Sequence, residues 1–471
     1  MPRIHTFQHL RCPWIPRKPL RILHRSFTNF TATEDALHVP SLSASFPYRW
    51  LRDSCQCPSC VHPSTSQKLH RSSDIPHDIR PLGVNALSGD VVSNQKVGAK
   101  PERNPNGLRV EWPPSKSTYR TNSGNEQNHI SFYTESFLRN HTSSSSLAQF
   151  HHDKPLVPWT SSDFSSGLAS PIPYSSLDSP SYLFKVLDQL VRYGLVFISG
   201  MSTQQTSDQS CELRVLANRL GLLRNTFYRD VWDVRSVKNS KNIAYTNLDL
   251  GFHMDLMYVG QTRSPMIFSL MFPSRYFEEP PRYQILHCLR NRVEGGSSIF
   301  VDGLHAALTL SRSNPAHFAA LATNPVHFHY INDGHHLHHA HNTFELRPCV
   351  EGEDTTNSVF VGIKYHKFVS INYSPPFQAP LPVNTPAAVY DALQDYASIL
   401  EDPHNRFEYL LREGDVVLFD NRRVLHGRRE FVDKSEVEGK GEETNRWLKG
   451  CYLEEDAVLD KRRVTANKIG K

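Results

Sequence analysis

Short apolar runs separated by polar stretches set the expected fold class of this chain. From residue 195 onward strand-like segments dominate: "LVFISG", "KNIAYTNL", "YQILHCL", "SSIFVDG", "SVFVGIKY", "DVVLFDN" and "WLKGCYL". They are rich in β-branched and aromatic residues and punctuated by Gly, Asn and Asp, as strands are. Helical spacing is confined to "SYLFKVLDQLVRYG", "LHAALTLSRSNPAHFAALAT" and "PAAVYDALQDYASILED". Many strands with a few helices predict a mainly β chain, a barrel or jelly roll with helices around it. Upstream, "NGLRVEWP" and "HISFYTESFLRN" predict strands of a smaller region over 40–140. Residues 141–180, full of Ser and Pro, read as a linker, and 181–462 as the main domain. The run "HFHYINDGHHLHHAHN" reads as a solvated loop without regular ligand spacing, and no site is assigned to it.

Composition narrows the picture. The chain has 471 residues, 38% of them hydrophobic and 21% charged, enough to build one large or two modest cores. A net charge of +5, scattered along the chain, gives no footprint for nucleic acid, and no apolar run is long enough to span a membrane. Residues 1–30 are set apart by Arg3, Arg11, Arg17, Lys18, Arg21 and Arg25, with the first acid at Glu34. That bias fits either a mitochondrial transit peptide or a basic tail of a cytoplasmic protein.

The stretch "LDLGFHMDLMY" carries the chemistry. On a strand, His253 and Asp255 would share one face, with Phe252, Met254 and Leu256 on the other. Burying an imidazole beside a carboxylate is costly unless something binds both, a metal or each other. Downstream, "GDVVLFDNRRVLHG" supplies His426, followed by Gly427, where a neighbouring backbone can pass close. Two histidines and one carboxylate make the facial triad of a non-haem Fe(II) oxygenase, although a zinc hydrolase would accept the same ligands. Arg446, in "TNRWLKGCYLEED", offers a two-pronged cation for a carboxylate such as the distal one of 2-oxoglutarate. Separately, Cys55, Cys57 and Cys60 form Cys-x-Cys-x2-Cys, three thiolates of a tetrahedral structural metal site; spacing alone leaves the fourth ligand open between His62, His70 and His129.

Together, "WLRD" with its cysteines, "TFY", "AYT", "FHMD", "LHC", "EGGSSIFVDG", "FDNRRVLHGRR" and "GCY" resemble the gamma-butyrobetaine dioxygenase and trimethyllysine dioxygenase family, within the taurine dioxygenase-like superfamily. The resemblance implies a double-stranded β-helix (jelly-roll) oxygenase core plus a small N-terminal zinc-binding β domain, and homodimerisation. By match to the family pattern, His253, Asp255 and His426 bind Fe(II), Arg446 and Ser298 bind the cosubstrate 2-oxoglutarate, and Cys55, Cys57, Cys60 and His129 bind zinc. Tyr228, Trp232, Tyr245 and Tyr452 match the family's trimethylammonium cage. Aromatic faces suit a cation that has no N–H to donate.

The three-cysteine knot and Asn242, where the trimethyllysine branch tends to have an acid, lean toward gamma-butyrobetaine, which would be hydroxylated to L-carnitine with O2 as co-reactant. Trimethyllysine is the alternative substrate; a non-catalytic, zinc-dependent interaction protein is the alternative class. Two segments depart from the pattern. Removing residues 259–276 restores the family's length after "HMDLMY", so that segment reads as a retained short intron or a lineage-specific loop. Residues 432–443 read as a polar surface loop.

Overall fold

The computed structural model describes residues 29–87, 106–114, 128–235, 243–259, 279–432 and 445–470. The basic N-terminal segment therefore lies outside the described residues, as do Asn242 and nearly all of the two departing segments. Two compact units result, Met1–Leu147 and Ala148–Lys471.

The first unit holds two small antiparallel sheets. One pairs Thr31–Ala32, Ala36–Val39 and Ala44–Pro47; the other pairs Gly83–Leu87, Gly107–Trp112 and His129–Thr134. Period-two alternation turns Leu108, Val110 and Trp112 inward, where they meet Leu37, Leu51, Tyr133 and Leu138. The Trp112 indole N–H donates to Ser131 Oγ at 2.9 Å, so its polar end is satisfied inside the core.

In the second unit two sheets face each other. The larger runs in the order Trp232–Arg235, Arg446–Leu453, Tyr283–Asn291, Val416–Asp420, Leu195–Ser199, Ile172–Pro173. The smaller runs Leu250–His253, Val424–Arg428, Ser298–Asp302, Arg406–Tyr409. Phe197, Phe419, Leu286 and Leu448 from the first meet Phe300, Phe407 and Val424 from the second in one buried layer. Rings of that layer stand 5.9 Å apart in the pairs Phe197–Phe300 and Phe300–Phe419. Helices Gly303–Ser313, Pro315–Thr323 and Ala387–Glu401 cover the smaller sheet's side of the core. This is the double-stranded β-helix, mainly β with flanking helices.

Two expectations fail here, each for a physical reason. Residues 148–180 are not a linker: Trp159, Phe164, Ile172 and Leu177 are buried in the second unit. Its anchor is a buried ion pair: Arg423 donates to Asp302 at 2.8 and 2.9 Å and to the Val157 carbonyl, and Asp302 accepts the Trp159 amide at 3.0 Å. A few large aromatics outweigh a Ser/Pro-rich composition.

The histidine run is not a loop either. Pro325–Asn332 pairs with His335–Asn342 as a hairpin, with Asp333 and Gly334 at φ 50° and 79° forming its tight turn. Val326, Phe328 and Tyr330 point to the core, and the intervening histidines point away.

Candidate active site

Two strands of the smaller sheet set the first two ligand candidates. His253 ends Leu250–His253, and its direct cross-strand partner is His426. Their rings stand 4.2 Å apart, centroid to centroid. The close approach needs Gly427: a Cβ there would lie 2.5 Å from the Leu250 carbonyl oxygen.

Asp255 arrives differently from the sequence reading. The strand stops at His253, and Asp255 sits in the turn that follows, with Leu256 at φ 62°. A turn, not strand alternation, brings the carboxylate round to the imidazoles. Phe252, Met254 and Leu256 are still buried together. Asn421 fixes the turn by accepting the Asp255 amide at 2.8 Å and donating to the Asp255 carbonyl at 3.0 Å.

Electrostatics at this point call for a cation. The Nδ1–H of His253 donates to the Gly251 carbonyl at 2.9 Å, and its Nε2 faces Asp255 Oδ1 at 3.5 Å. His426 Nε2 stands 4.0 Å from Asp255 Oδ2. Burial, reinforced by His253, pushes His426 down to about 3, so its ring is neutral. Burial alone would raise the Asp255 carboxyl, but the His253 contact and the Tyr452 hydroxyl, which donates to Oδ2 at 3.0 Å, hold it well below the usual carboxylate range. Two imidazole nitrogens and a carboxylate oxygen within 4.8 Å of one another form a donor set that a divalent ion fits.

These residues open into a cavity lined by Tyr228, Trp232, Tyr245, Tyr258, Phe377 and Tyr452. Trp232 lies over Gly450, whose absent side chain leaves room for the indole: a Cβ would meet ring carbons at 2.3–2.6 Å. Trp232 and Tyr452 rings stand 5.5 Å apart. Burial, with the Asp255 charge adding, pushes the Tyr245 phenol up to about 12, so it stays neutral. Ser298, Arg428 and Arg446 line the same cavity. Burial and then the neighbouring Arg428 lower Arg446 to about 10, the mark of two crowded guanidiniums suited to an anion.

Family models agree with the geometry. One described as "Taurine catabolism dioxygenase TauD, TfdA family" matches residues 274–452, and one described as "Gamma-butyrobetaine hydroxylase-like, N-terminal" matches 38–93. The chain is 25% identical over 430 residues to human gamma-butyrobetaine dioxygenase (90% of this chain, 92% of that protein). It is 24% identical over 420 residues to the mitochondrial trimethyllysine dioxygenase of Gallus gallus (89% and 83%). With "Dioxygenase str8" of Strobilurus tenacellus it shares 43% identity over 446 residues, 94% of this chain and 90% of that protein. The chain belongs to the gamma-butyrobetaine and trimethyllysine dioxygenase family. It is a 2-oxoglutarate-dependent dioxygenase.

In the first unit of the dioxygenase, Cys55, Cys57, Cys60 and His129 bring their ligand atoms within 4.8 Å of one another. His129 Nε2 stands 3.3, 3.8 and 3.6 Å from the three sulfurs in that order. The neighbouring thiols lower Cys57 and raise Cys60, since three thiolates cannot all ionise together without a cation. The other two histidines stay out of the knot: His62 is exposed, with Ser64 3.2 Å from its ring, and His70 lies 3.3 Å from Asp53.

The dioxygenase's cavity also uses residues the sequence reading passed over. Arg428 is one: it lies two positions after His426 on the same strand, the spacing that puts both on one face, so the signal was present. It donates to the carbonyls of Ala244 at 3.2 Å and Leu248 at 2.5 Å, which tethers the segment bearing Tyr245. Tyr258, Phe377 and Asn421 carried no such signal, because only the folded chain brings them to the site.

Proposed function

We propose that the dioxygenase hydroxylates a small trimethylammonium compound, with gamma-butyrobetaine as substrate and L-carnitine as product. The supporting observation is the aromatic wall, Tyr228, Trp232, Tyr245, Tyr258 and Tyr452, set beside the His253–Asp255–His426 triad. Such faces, at about 0.5–2 kcal/mol each, give a binding preference for a cation that cannot hydrogen-bond. Asp255 is the sole carboxylate among the described lining residues, and it belongs to the triad. Among the described residues the α-ammonium of trimethyllysine therefore has no acid to meet, which favours butyrobetaine.

His253, Asp255 and His426 would hold Fe(II), leaving positions open for cosubstrate and oxygen. When bound, iron supplies the activation of O2 that is coupled to oxidative decarboxylation of 2-oxoglutarate. The protein's share is placement. Asn421 and Tyr452 hold the carboxylate, Arg446 and Ser298 orient the distal carboxylate of 2-oxoglutarate, and the aromatic wall presents one carbon of the substrate while excluding water. In the first unit, Cys55, Cys57, Cys60 and His129 would hold a structural zinc.

A second reading has its own support. Ile243, Leu250, Leu256 and Leu286 also line the cavity, which suits an uncharged apolar substrate. One experiment separates the readings: succinate release dependent on iron and 2-oxoglutarate, measured with butyrobetaine, trimethyllysine and 5,5-dimethylhexanoate. The last keeps butyrobetaine's shape but carries carbon in place of nitrogen. Turnover of butyrobetaine at least about tenfold better than the isostere is expected from lost cation–π contact. Equal turnover of the isostere would replace the trimethylammonium reading with the apolar one.

A further inference from the structure

Along the hairpin Pro325–Asn332 and His335–Asn342, period-two alternation sorts the histidines onto two faces. His341 is buried and faces inward, where its Nε2 lies 3.1 Å from the Met257 carbonyl. On the outward face, His329 stands directly opposite His338, while His327 and His336 flank that pair diagonally. His336 and His338 are exposed; His327 and His329 are half-buried. His327 Nδ1 and His338 Nε2 are 3.1 Å apart, with the rings stacked at 20°. Burial and then the three neighbouring rings lower His338, which keeps its imidazole neutral and able to act as a ligand.

We propose that this outward face is a second transition-metal site, in which His327 and His338 chelate a divalent ion and His329 completes the set by rotating its side chain. Two ring nitrogens already in contact require little rearrangement to share an ion: the ion takes the place of the proton between them, which moves through water to the donor ring's other nitrogen, so both imidazoles stay neutral. Diagonal cross-strand positions are close enough for long side chains to converge. An all-imidazole set selects zinc, nickel or copper over Fe(II), which stands lower in the affinity order, and over Mg(II) or Ca(II), which prefer oxygen. The site is thus chemically distinct from both the triad and the cysteine knot.

The test uses the full-length protein, saturated with Fe(II) and zinc-replete, titrated with Zn(II) without oxygen and analysed for bound metals after desalting. Wild type is expected to take up one further zinc with no loss of iron. His338→Asn should weaken that binding at least about tenfold, and His327→Asn with His338→Asn should abolish it, while circular dichroism and succinate release stay unchanged. Independently of any variant, Zn(II) should protect His327 and His338 from carbethoxylation, read by peptide mass spectrometry. No further zinc in wild type, zinc retained by the double variant, zinc gained only as iron is lost, or unprotected His327 and His338 would each overturn the proposal.

Discussion

Tyr452→Phe discriminates between two roles for one ring. The phenol forms part of the aromatic wall, but its hydroxyl also donates to Asp255 Oδ2 at 3.0 Å. Phenylalanine keeps the face and its packing against Trp232, 5.5 Å away, and removes only the hydrogen bond. A hydrogen bond to a charged acceptor is worth about 1.5–3 kcal/mol, and with 1.4 kcal/mol per decade that is a loss of about 10–100-fold. Outer partners of metal ligands commonly cost about the same factor when removed. Because the lost contact is to the triad, the expected loss is in Fe(II) affinity, read from the iron dependence of succinate release and from direct Fe(II) titration. The KM values for substrate and 2-oxoglutarate should stay within about twofold at saturating iron. Unchanged iron dependence with a raised substrate KM would refute the assignment of the hydroxyl to the carboxylate.

Arg446→Lys keeps the charge but not the two-pronged geometry, and should raise the KM for 2-oxoglutarate by about tenfold or more, with Arg446→Met worse still. Gly450→Ala would place a Cβ within 2.3–2.6 Å of the Trp232 ring; displacing the indole should raise the KM for a trimethylammonium substrate by up to about tenfold and leave that for 2-oxoglutarate unchanged. Zinc chelation, or Cys57→Ser, should lower the melting temperature of the first unit, followed by scanning calorimetry. Glu353 is held by Arg347 at 2.6 Å and Lys367 at 3.0 Å, and the Arg347 hydrogen bond is the largest reason its carboxyl falls from 4.5 to about 2. A depressed acid adds stability above its unfolded value and loses it as pH falls through the folded one. Denaturant titrations of Glu353→Gln should therefore show a shallower loss of stability than wild type between pH 4.5 and about 2.

Legibility of the molecule followed the range of the interaction. His253, Asp255 and His426 were readable because two lie in one short motif and the third follows a strongly apolar strand. Their geometry was not: strand alternation would have placed Asp255, yet a turn clamped by Asn421 does so. Composition misled over residues 148–180, where Ser and Pro outnumber the aromatics, but Trp159 and Phe164 decide the packing. The hairpin could have been found. Val326, Phe328 and Tyr330 alternate with His327, His329 and Ile331 ahead of Asn332-Asp333-Gly334, a tight-turn signal eclipsed by the count of histidines. Placing His129 beside the cysteines needed two sheet strands folded between them in the chain, and spacing alone carries no such information.

The register between Leu250–His253 and Val424–Arg428 has a consequence for how the protein matures. Its two imidazoles come from distant stretches of chain and meet only once Val424–Arg428 has docked between Leu250–His253 and Ser298–Asp302. On the proposed assignment of the triad to Fe(II), a nascent or half-unfolded molecule has no pocket able to grip ferrous ion, and a slip of one residue would turn one ring to the opposite side of the sheet. Metal capture on that assignment would wait for the finished architecture, and incomplete chains would carry no reactive centre.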